Sequence, residues 1–246
     1  IGVQATGYNV IDLDACRKHN VTVTNVPSYS TAGVAQMVFA YITEFASRPA
    51  LHNESVKNKD WIKCPDFCYW KTPLIELEGK TLGIYGYGSI GRRVAQIAKA
   101  FGMKVIVCTR TPKPDIENPV DFSTLLNEAD FITHHAPLTD NTREVINRTT
   151  LPLMKKSAYL INTARGLLVN EKDLAEALNN GTIAGYAADV VSEEPMKDGN
   201  PLLTAKNSII TPHIAWAAVE TRQRLLDVVA RNLECWISGN PQNVVS

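Results

Sequence analysis

From residue 79 onward the chain alternates between two hydrophobic periods. Short apolar runs occur at Thr81–Tyr85, Lys104–Thr109, Phe131–His135, Ala158–Asn162, Ile183–Val190 and Ser208–Thr211. Each has the length and composition of a buried strand. Between them lie segments of helical period around residues 90–101, 121–128 and 171–180, with a shorter one near 150–155. The clearest helix starts after Asn170, an N-cap residue type, with Asp173 three places on. Leu174, Ala177 and Leu178 give it an apolar face, and Gly181 supplies a stop. Buried strands alternating with helices predict an α/β fold, a doubly wound parallel sheet covered on both faces.

The amino-terminal part has a different pattern. Gly2–Ala5 and Val21–Val26 predict two strands around a polar helix from about Asp12 to His19. Pro27-Ser28-Tyr29-Ser30 then leads into a long apolar helix, roughly 31–46. Residues 50–78 show little periodicity, and Trp61, Cys64, Pro65, Phe67, Tyr69, Trp70 and Pro73 crowd into them. An irregular stretch of that length is uncommon in a compact domain unless it has a function. Its aromatic side chains predict burial against a partner subunit.

Composition narrows the function classes. Apolar residues are 45% of the 246 and charged residues 20%, which argues against disorder. Lys+Arg and Asp+Glu are 25 each, so no net charge draws the chain to nucleic acid or an anionic membrane. No apolar run approaches the ~18 residues that suggest a membrane span. The five cysteines (Cys16, Cys64, Cys68, Cys108 and Cys235) form no disulfide framework, and reduced thiols in a cytoplasmic protein are expected. Cys64 and Cys68 have no second Cys/His pair nearby, so no metal site is expected.

Gly86-Tyr87-Gly88-Ser89-Ile90-Gly91 is G-x-G-x-x-G, here between a predicted strand and a predicted helix, the context in which the pattern binds a dinucleotide. Gly86 permits the tight turn, Gly88 admits a pyrophosphate, and Gly91 lets helix and strand pack closely. The phosphates would lie at the helix N-terminus. The next strand ends at Thr109, 18 residues after Gly91, close to where a ribose-reading residue belongs.

Three downstream strands end in polar groups: Asn162-Thr163-Ala164-Arg165-Gly166, Asp189 through Glu193-Glu194-Pro195, and Thr211-Pro212-His213. In a parallel sheet such ends face one crevice. The planar fork of Arg165 suits a carboxylate. Taken singly, Arg165 also reads as a solvent-facing loop residue, and a lone His213 as structural. An Arg, a carboxylate and a His converging on a dinucleotide crevice make a binding site and a proton-transfer pair.

With these motifs in place, the chain from about Ile1 to Pro241 resembles the D-isomer-specific 2-hydroxyacid dehydrogenases. The resemblance rests on the Thr6–Cys16 opening, the glycine loop, Asn162–Gly166 followed by Leu167-Leu168-Val169-Asn170-Glu171, the Asp189–Pro195 segment and Pro212-His213. Asp12, Phe67, Trp70, Glu76-Leu77, Gly79-Lys80 and His213-Ile214-Ala215-Trp216 look most like the glycerate dehydrogenase/hydroxypyruvate reductase branch. The resemblance implies Arg165, Glu194 and His213 as catalytic residues. Arg165 would bind the substrate carboxylate and carbonyl, and His213 would be the proton donor. Glu194, which directly precedes Pro195, is expected to orient the imidazole in preference to Glu193.

Cofactor contacts are implied at Gly86, Gly88, Ser89, Ile90, Gly91, Thr109, Arg110, Ala136, Pro137, Thr142, Thr163, Ala164, Arg165, Asp189 and His213. The family pattern also implies three parts: residues 1–26 ending a flavodoxin-like substrate domain, 27–214 the dinucleotide-binding domain with its dimerisation arm 50–78, and 215–246 a helix returning to the first. Relatives carry about 70 residues before the equivalent of Ile1, which would complete a substrate domain with its own core.

NAD-specific relatives place an acid at the end of the second strand, where this chain has Thr109-Arg110-Thr111 and then Pro112 and Lys113. The nearest carboxylate, Asp115, follows two prolines. Arg110 therefore predicts NADP over NAD, with Thr109, Thr111 and Lys113 in support. Trp216, three residues after His213, either borders the substrate pocket or packs as a helix-start Trp. The resemblance to the glycerate branch implies a short 2-oxo acid, hydroxypyruvate or glyoxylate, and the aromatic arm predicts a homodimer. Alternatives are a relative acting on phosphoglycerate, lactate or phosphite, and an NAD(H)-sensing, corepressor-like binding protein of the same fold. Glu rather than Gln at 194 speaks against a formate dehydrogenase.

Overall fold

A computed structural model of the protein describes residues 1–111 and 114–246. They form two compact units, Ala35–His213 and Ile1–Val34 with Ile214–Ser246. The helices in chain order are α1 (Leu13–Lys18), α2 (Thr31–Ser47), α3 (Pro49–Lys57), α4 (Ser89–Ala100), α5 (Phe122–Glu128), α6 (Glu171–Asn179) and α7 (Val219–Ile237).

The larger unit is built on β1 (Thr81–Tyr85), β2 (Lys104–Cys108), β3 (Phe131–His134), β4 (Tyr159–Asn162), β5 (Gly185–Ala188) and β6 (Ser208–Ile210). They form one sheet in the order β2-β1-β3-β4-β5-β6, every pair parallel. The expected doubly wound sheet is borne out. Strands pair over fewer residues than the apolar runs suggest. Ile183 and Val190, for example, are buried outside β5, because apolar sequence reports burial and not ladder pairing.

Alternate strand residues supply two cores. Leu82, Ile84, Phe131, Ile161 and Ala187 pack with Val38, Ile42, Phe45, Val94 and Ala98 from α2 and α4. Their neighbours Ile132, Leu160, Tyr186 and Ala188 pack with Leu125, Leu126, Leu174 and Leu178 from α5 and α6. Each Leu, Ile, Val or Phe among them contributes about 1.5–3 kcal/mol when fully buried. Period-2 alternation between two apolar faces is what turns these strands into the middle layer of a three-layer unit.

Several expectations need correction. Gly2–Ala5 and Val21–Val26 are not strands: only single bridges join Gly2 to Thr24 and Thr24 to Val244. The segments share bonds such as Val3 N to Thr24 O (2.8 Å) and Val26 N to Ala5 O (3.0 Å), but the chain bends at Gln4 and Ala5 and no ladder repeats. Residues 50–78 are not wholly irregular, since α3 opens the stretch with Pro49 in its first turn, where a missing N–H costs nothing. Beyond α3 the chain folds on itself through Trp61 Nε1 donating to Phe67 O (3.0 Å). Trp61, Ile62, Phe67 and Trp70 remain 51–88% exposed, an apolar concentration that a lone surface loop does not need. The helix expected near 150–155 is a single 3₁₀ turn, Leu151–Leu153, and similar turns at Gly166–Leu168 and Pro201–Leu203 have no periodic signal. Among the described residues no helix is long and apolar enough to cross a membrane.

Candidate active site

The register of the sheet defines the site. Tyr85 is paired with Cys108 and with His134, His134 with Asn162, Asn162 with Ala188, and Ala188 with Ile210. The strands therefore stop together. The next residues, Gly86, Thr109, His135, Thr163, Asp189 and Thr211, line one carboxyl edge. The strand order changes direction at β1, with β2 on one side and β3 on the other, which is where open α/β sheets bind ligands.

The three glycines of the loop answer to different neighbours. Gly86 has φ +98°, and a Cβ there would lie 2.5 Å from Ala136 N. A Cβ on Gly91 would lie 2.4 Å from Gly86 O. Both positions are closed by backbone. Gly88, by contrast, has nothing within 4 Å of a Cβ. It is the N-cap of α4, at the positive end of that helix. Thr163 Oγ1, across the edge, is buried with no hydrogen-bond partner. An open glycine at the positive end of a helix and an orphaned hydroxyl fit a dinucleotide.

Other expected contacts are distributed along this edge. Thr109 is half-buried, and Arg110 is exposed with no ion pair among the described residues. Asp115 is taken up by Arg92, whose guanidinium lies 4.9 Å from the Tyr87 ring centre. Pro112 and Lys113 lie outside the described residues. Ala136 is buried against Gly86 and Pro137 is exposed. Thr142 Oγ1 donates to Pro137 O and accepts from Thr139 N (both 2.8 Å), shaping the loop after β3.

Asn162, unassigned by sequence reasoning, organises the loop after β4. It is fully buried, donates from Nδ2 to Arg165 O (2.8 Å) and accepts from Ala164 N (3.1 Å). Arg165 has extended backbone, and its Nη1 donates to Ala164 O (2.6 Å). A Cβ on Gly166 would fall 1.9 Å from Val191 C and 2.4 Å from Ser192 N. The Val191–Ser192 peptide thus crosses directly over the residue after Arg165. Val191 N, on the preceding peptide, donates to Glu194 Oε1 (3.1 Å), so the loops carrying Arg165 and Glu194 meet at Val191.

His213 Nδ1 is 2.7 Å from Glu194 Oε2, and the two side chains are 46% and 37% exposed, accessible to a small substrate. Glu193 instead pairs with Lys197 at 3.4 Å. His213 has φ +55°, a left-handed conformation that costs a non-glycine residue on the order of 1 kcal/mol. Its N–H donates to Thr211 O (3.0 Å). Thr211 Oγ1 donates to the buried Asp189 (2.5 Å) and meets the Tyr41 hydroxyl from α2 (2.5 Å). Burial is the main cause that pushes the Tyr41 phenol up to about 12, so it stays a neutral partner in this chain. With Nδ1–H given to Glu194, the imidazole has Nε2 left to exchange a proton.

Known proteins similar to this chain identify its family. Residues 39–215 match the family described as D-isomer specific 2-hydroxyacid dehydrogenase, NAD binding domain. The chain belongs to that family. A hydroxypyruvate reductase of Blautia hydrogenotrophica is 44% identical over 250 residues, covering 100% of this chain and 78% of that protein. A glycerate dehydrogenase of Methylorubrum extorquens is 44% identical over 249 residues, with the same coverage. The crystal structure of the TT0316 protein from Thermus thermophilus superposes with TM-score 0.89 at 37% identity, covering 99% of this chain and 77% of that one. This dehydrogenase is accordingly a nicotinamide-dependent oxidoreductase, and its glycine loop and strand-edge residues fall within the matched span.

The site carries a pH liability of its own. His134 is fully buried at the end of β3, against the edge of Tyr85, with neither ring nitrogen bonded. Burial lowers it from the ordinary 6.5 to about 4, and burial with His134 lowers the neighbouring His135 to about 3. Rings held neutral in the folded state stabilise it fully above pH 6.5, and that stability is lost as pH falls toward 4 and 3, by up to about 1.4 kcal/mol per pH unit for each ring. Urea unfolding at pH 7.5, 6 and 5 should show this decline, with a shallower slope in His134→Leu. An unfolding free energy flat between pH 6.5 and 5 would contradict it.

Proposed function

We propose that this dehydrogenase reduces a short 2-oxo acid, hydroxypyruvate or glyoxylate, to D-glycerate or glycolate with a reduced nicotinamide cofactor. The observation that carries the reading is the His213–Glu194 pair at the carboxyl edge of the dinucleotide-binding sheet. When bound, the cofactor supplies the hydride. His213 Nε2 donates the proton to the carbonyl oxygen, and Glu194 holds the ring through Nδ1. Arg165 receives the substrate carboxylate and stabilises negative charge developing on the oxygen. Gly86, Gly88 and Gly91 with Ser89 and Ile90 take the pyrophosphate, Ala136, Pro137 and Thr142 the adenosine side, and Thr163, Ala164 and Asp189 the nicotinamide side. Similarity to proteins named hydroxypyruvate reductase and glycerate dehydrogenase supports the substrate class.

The cofactor reading favours NADPH. Arg110 follows Thr109 at the end of β2 without an ion-pair partner among the described residues, while the nearby acid Asp115 is engaged by Arg92. A 2′-phosphate there meets a guanidinium, and the acid that would repel it is already paired. The exposed aromatic arm supports a homodimer, and five free thiols fit a reducing cytoplasm.

Three measurements test this reading. His213→Ala should lower kcat for hydroxypyruvate about 10²–10⁴-fold with cofactor affinity nearly intact; near-normal kcat would remove its role. Unmodified protein should give a higher kcat/KM with NADPH than with NADH, and Arg110→Ala should erode the difference mainly through KM. A parent preference for NADH would overturn that assignment. Sedimentation should find a dimer at micromolar concentration, converted to monomer by Trp61→Ala with Trp70→Ala; a monomeric parent would refute the arm.

A further inference from the structure

The loop that presents Glu194 has little to hold it. Residues 192–195 are exposed, and only Met196 of the stretch 192–200 packs on a core. Its ion pair, Glu193 with Lys197, is internal, and the bond from Asn200 N to Lys197 O is internal too. Burial therefore does not fix the position of Glu194.

One carboxylate outside the loop closes it. Glu171 Oε1 accepts from Ser192 N (2.7 Å), while Oε2 accepts from Ser192 Oγ (2.6 Å) and from Asn200 Nδ2 (2.9 Å). Ser192 and Asn200 are the two ends of the stretch. Bonds to an ionised acceptor are roughly twice as strong as neutral ones. Glu171 itself stands on a firm base. It is the first residue of α6, capped by Asn170 accepting from Asp173 N (3.0 Å), and Leu174 and Leu178 anchor that helix in the core. A carboxylate in the first turn also opposes the positive end of the helix dipole.

We propose that Glu171 is a positioning residue for the proton-transfer pair. Its carboxylate fixes Ser192, and with it the Val191–Ser192 peptide that rests on Gly166. Val191 N–H then holds Glu194 in place against His213. The same contact registers Glu194 to the loop of Arg165. Without Glu171 the 192–200 loop loosens, Glu194 leaves the imidazole for part of the time, and the ring loses its fixed tautomer. This rests on the reading of His213 as proton donor, but its structural half can be read without turnover.

The test compares the parent with Glu171→Ala, Glu171→Gln, Glu194→Gln and the double variant Glu171→Ala/Glu194→Gln. Amide hydrogen exchange across 191–200 should quicken in Glu171→Ala while β4 and β5 stay protected. The ¹⁵N signals of His213 should lose the signature of a hydrogen-bonded Nδ1–H. With hydroxypyruvate and NADPH, kcat should fall about tenfold, the loss expected for a group held by a few charge-assisted bonds, with cofactor KM within about twofold. Glu171→Gln keeps an acceptor for Ser192 N and should recover part of the loss. If Glu171→Ala fails to fold, Glu171→Gln carries the same readouts. Because Glu171 acts through Glu194, the double variant should be no slower than Glu194→Gln alone.

An unchanged His213 signal in the Glu171 variants, or kcat losses that multiply in the double variant, would overturn the proposal. A parent that reduces neither acid would instead sink the proposed function, and the exchange and ¹⁵N readouts would still decide the role of Glu171.

Discussion

The in-register parallel ladder is the constraint on which everything else rests. Parallel strands share one chemical direction, so their carboxyl ends collect on one edge, and matched registers bring those ends level. Side chains alternate with period 2, so a one-residue slip of β4 would turn Asn162 away from the α5–α6 face and put Ile161 there instead. The slip is opposed by the core. Leu160 and Ile161 are both completely buried, each on its own side, and exchanging them would set each against a surface shaped for the other. Apolar packing inside the layers thus fixes the polar geometry at the rim.

Beyond that rim the site is a set of loops tied to one another. Asn162 ties the Arg165 loop to β4, Gly166 lets the Val191–Ser192 peptide rest on it, and Glu171 and Glu194 each accept a bond at that peptide or beside it. These are short, directional contacts in a partly exposed region. They contribute little to global stability compared with the two cores, and their effect is on where a few functional atoms lie.

The sheet, its helices and the glycine loop were legible because each carries a local signal, whereas Arg165, Glu194 and His213 were singled out by the family resemblance. Strands show apolar runs, α6 shows a cap and a stop, and the glycine loop follows a strand. The errors have a physical pattern. Gly2–Ala5 and Val21–Val26 read as strands because β-branched residues favour extended backbone, yet a strand needs a partner along its whole length and only single bridges form. The α3 helix was hidden because its apolar face is weak and aromatic residues follow closely. The roles of Asn162, Tyr41 and Glu171 were invisible for another reason. An amide, a phenol or a carboxylate declares its function only when folding brings a distant group to it: Tyr41 to Thr211, or Glu171 to Ser192 and Asn200.

The glycine loop separates two kinds of necessity within six residues. At Gly86 and Gly91 any side chain collides with main chain of the protein itself, so selection there is for a chain that can exist at all. At Gly88 a side chain meets only empty space, and the folded protein alone gives no reason for its absence. On the proposed reading, the constraint at that position comes from the visiting molecule. A lineage that kept the scaffold and abandoned the chemistry would be free to drift at the middle glycine while holding the outer two, and the order in which such a motif decays would record which of its duties was relinquished first.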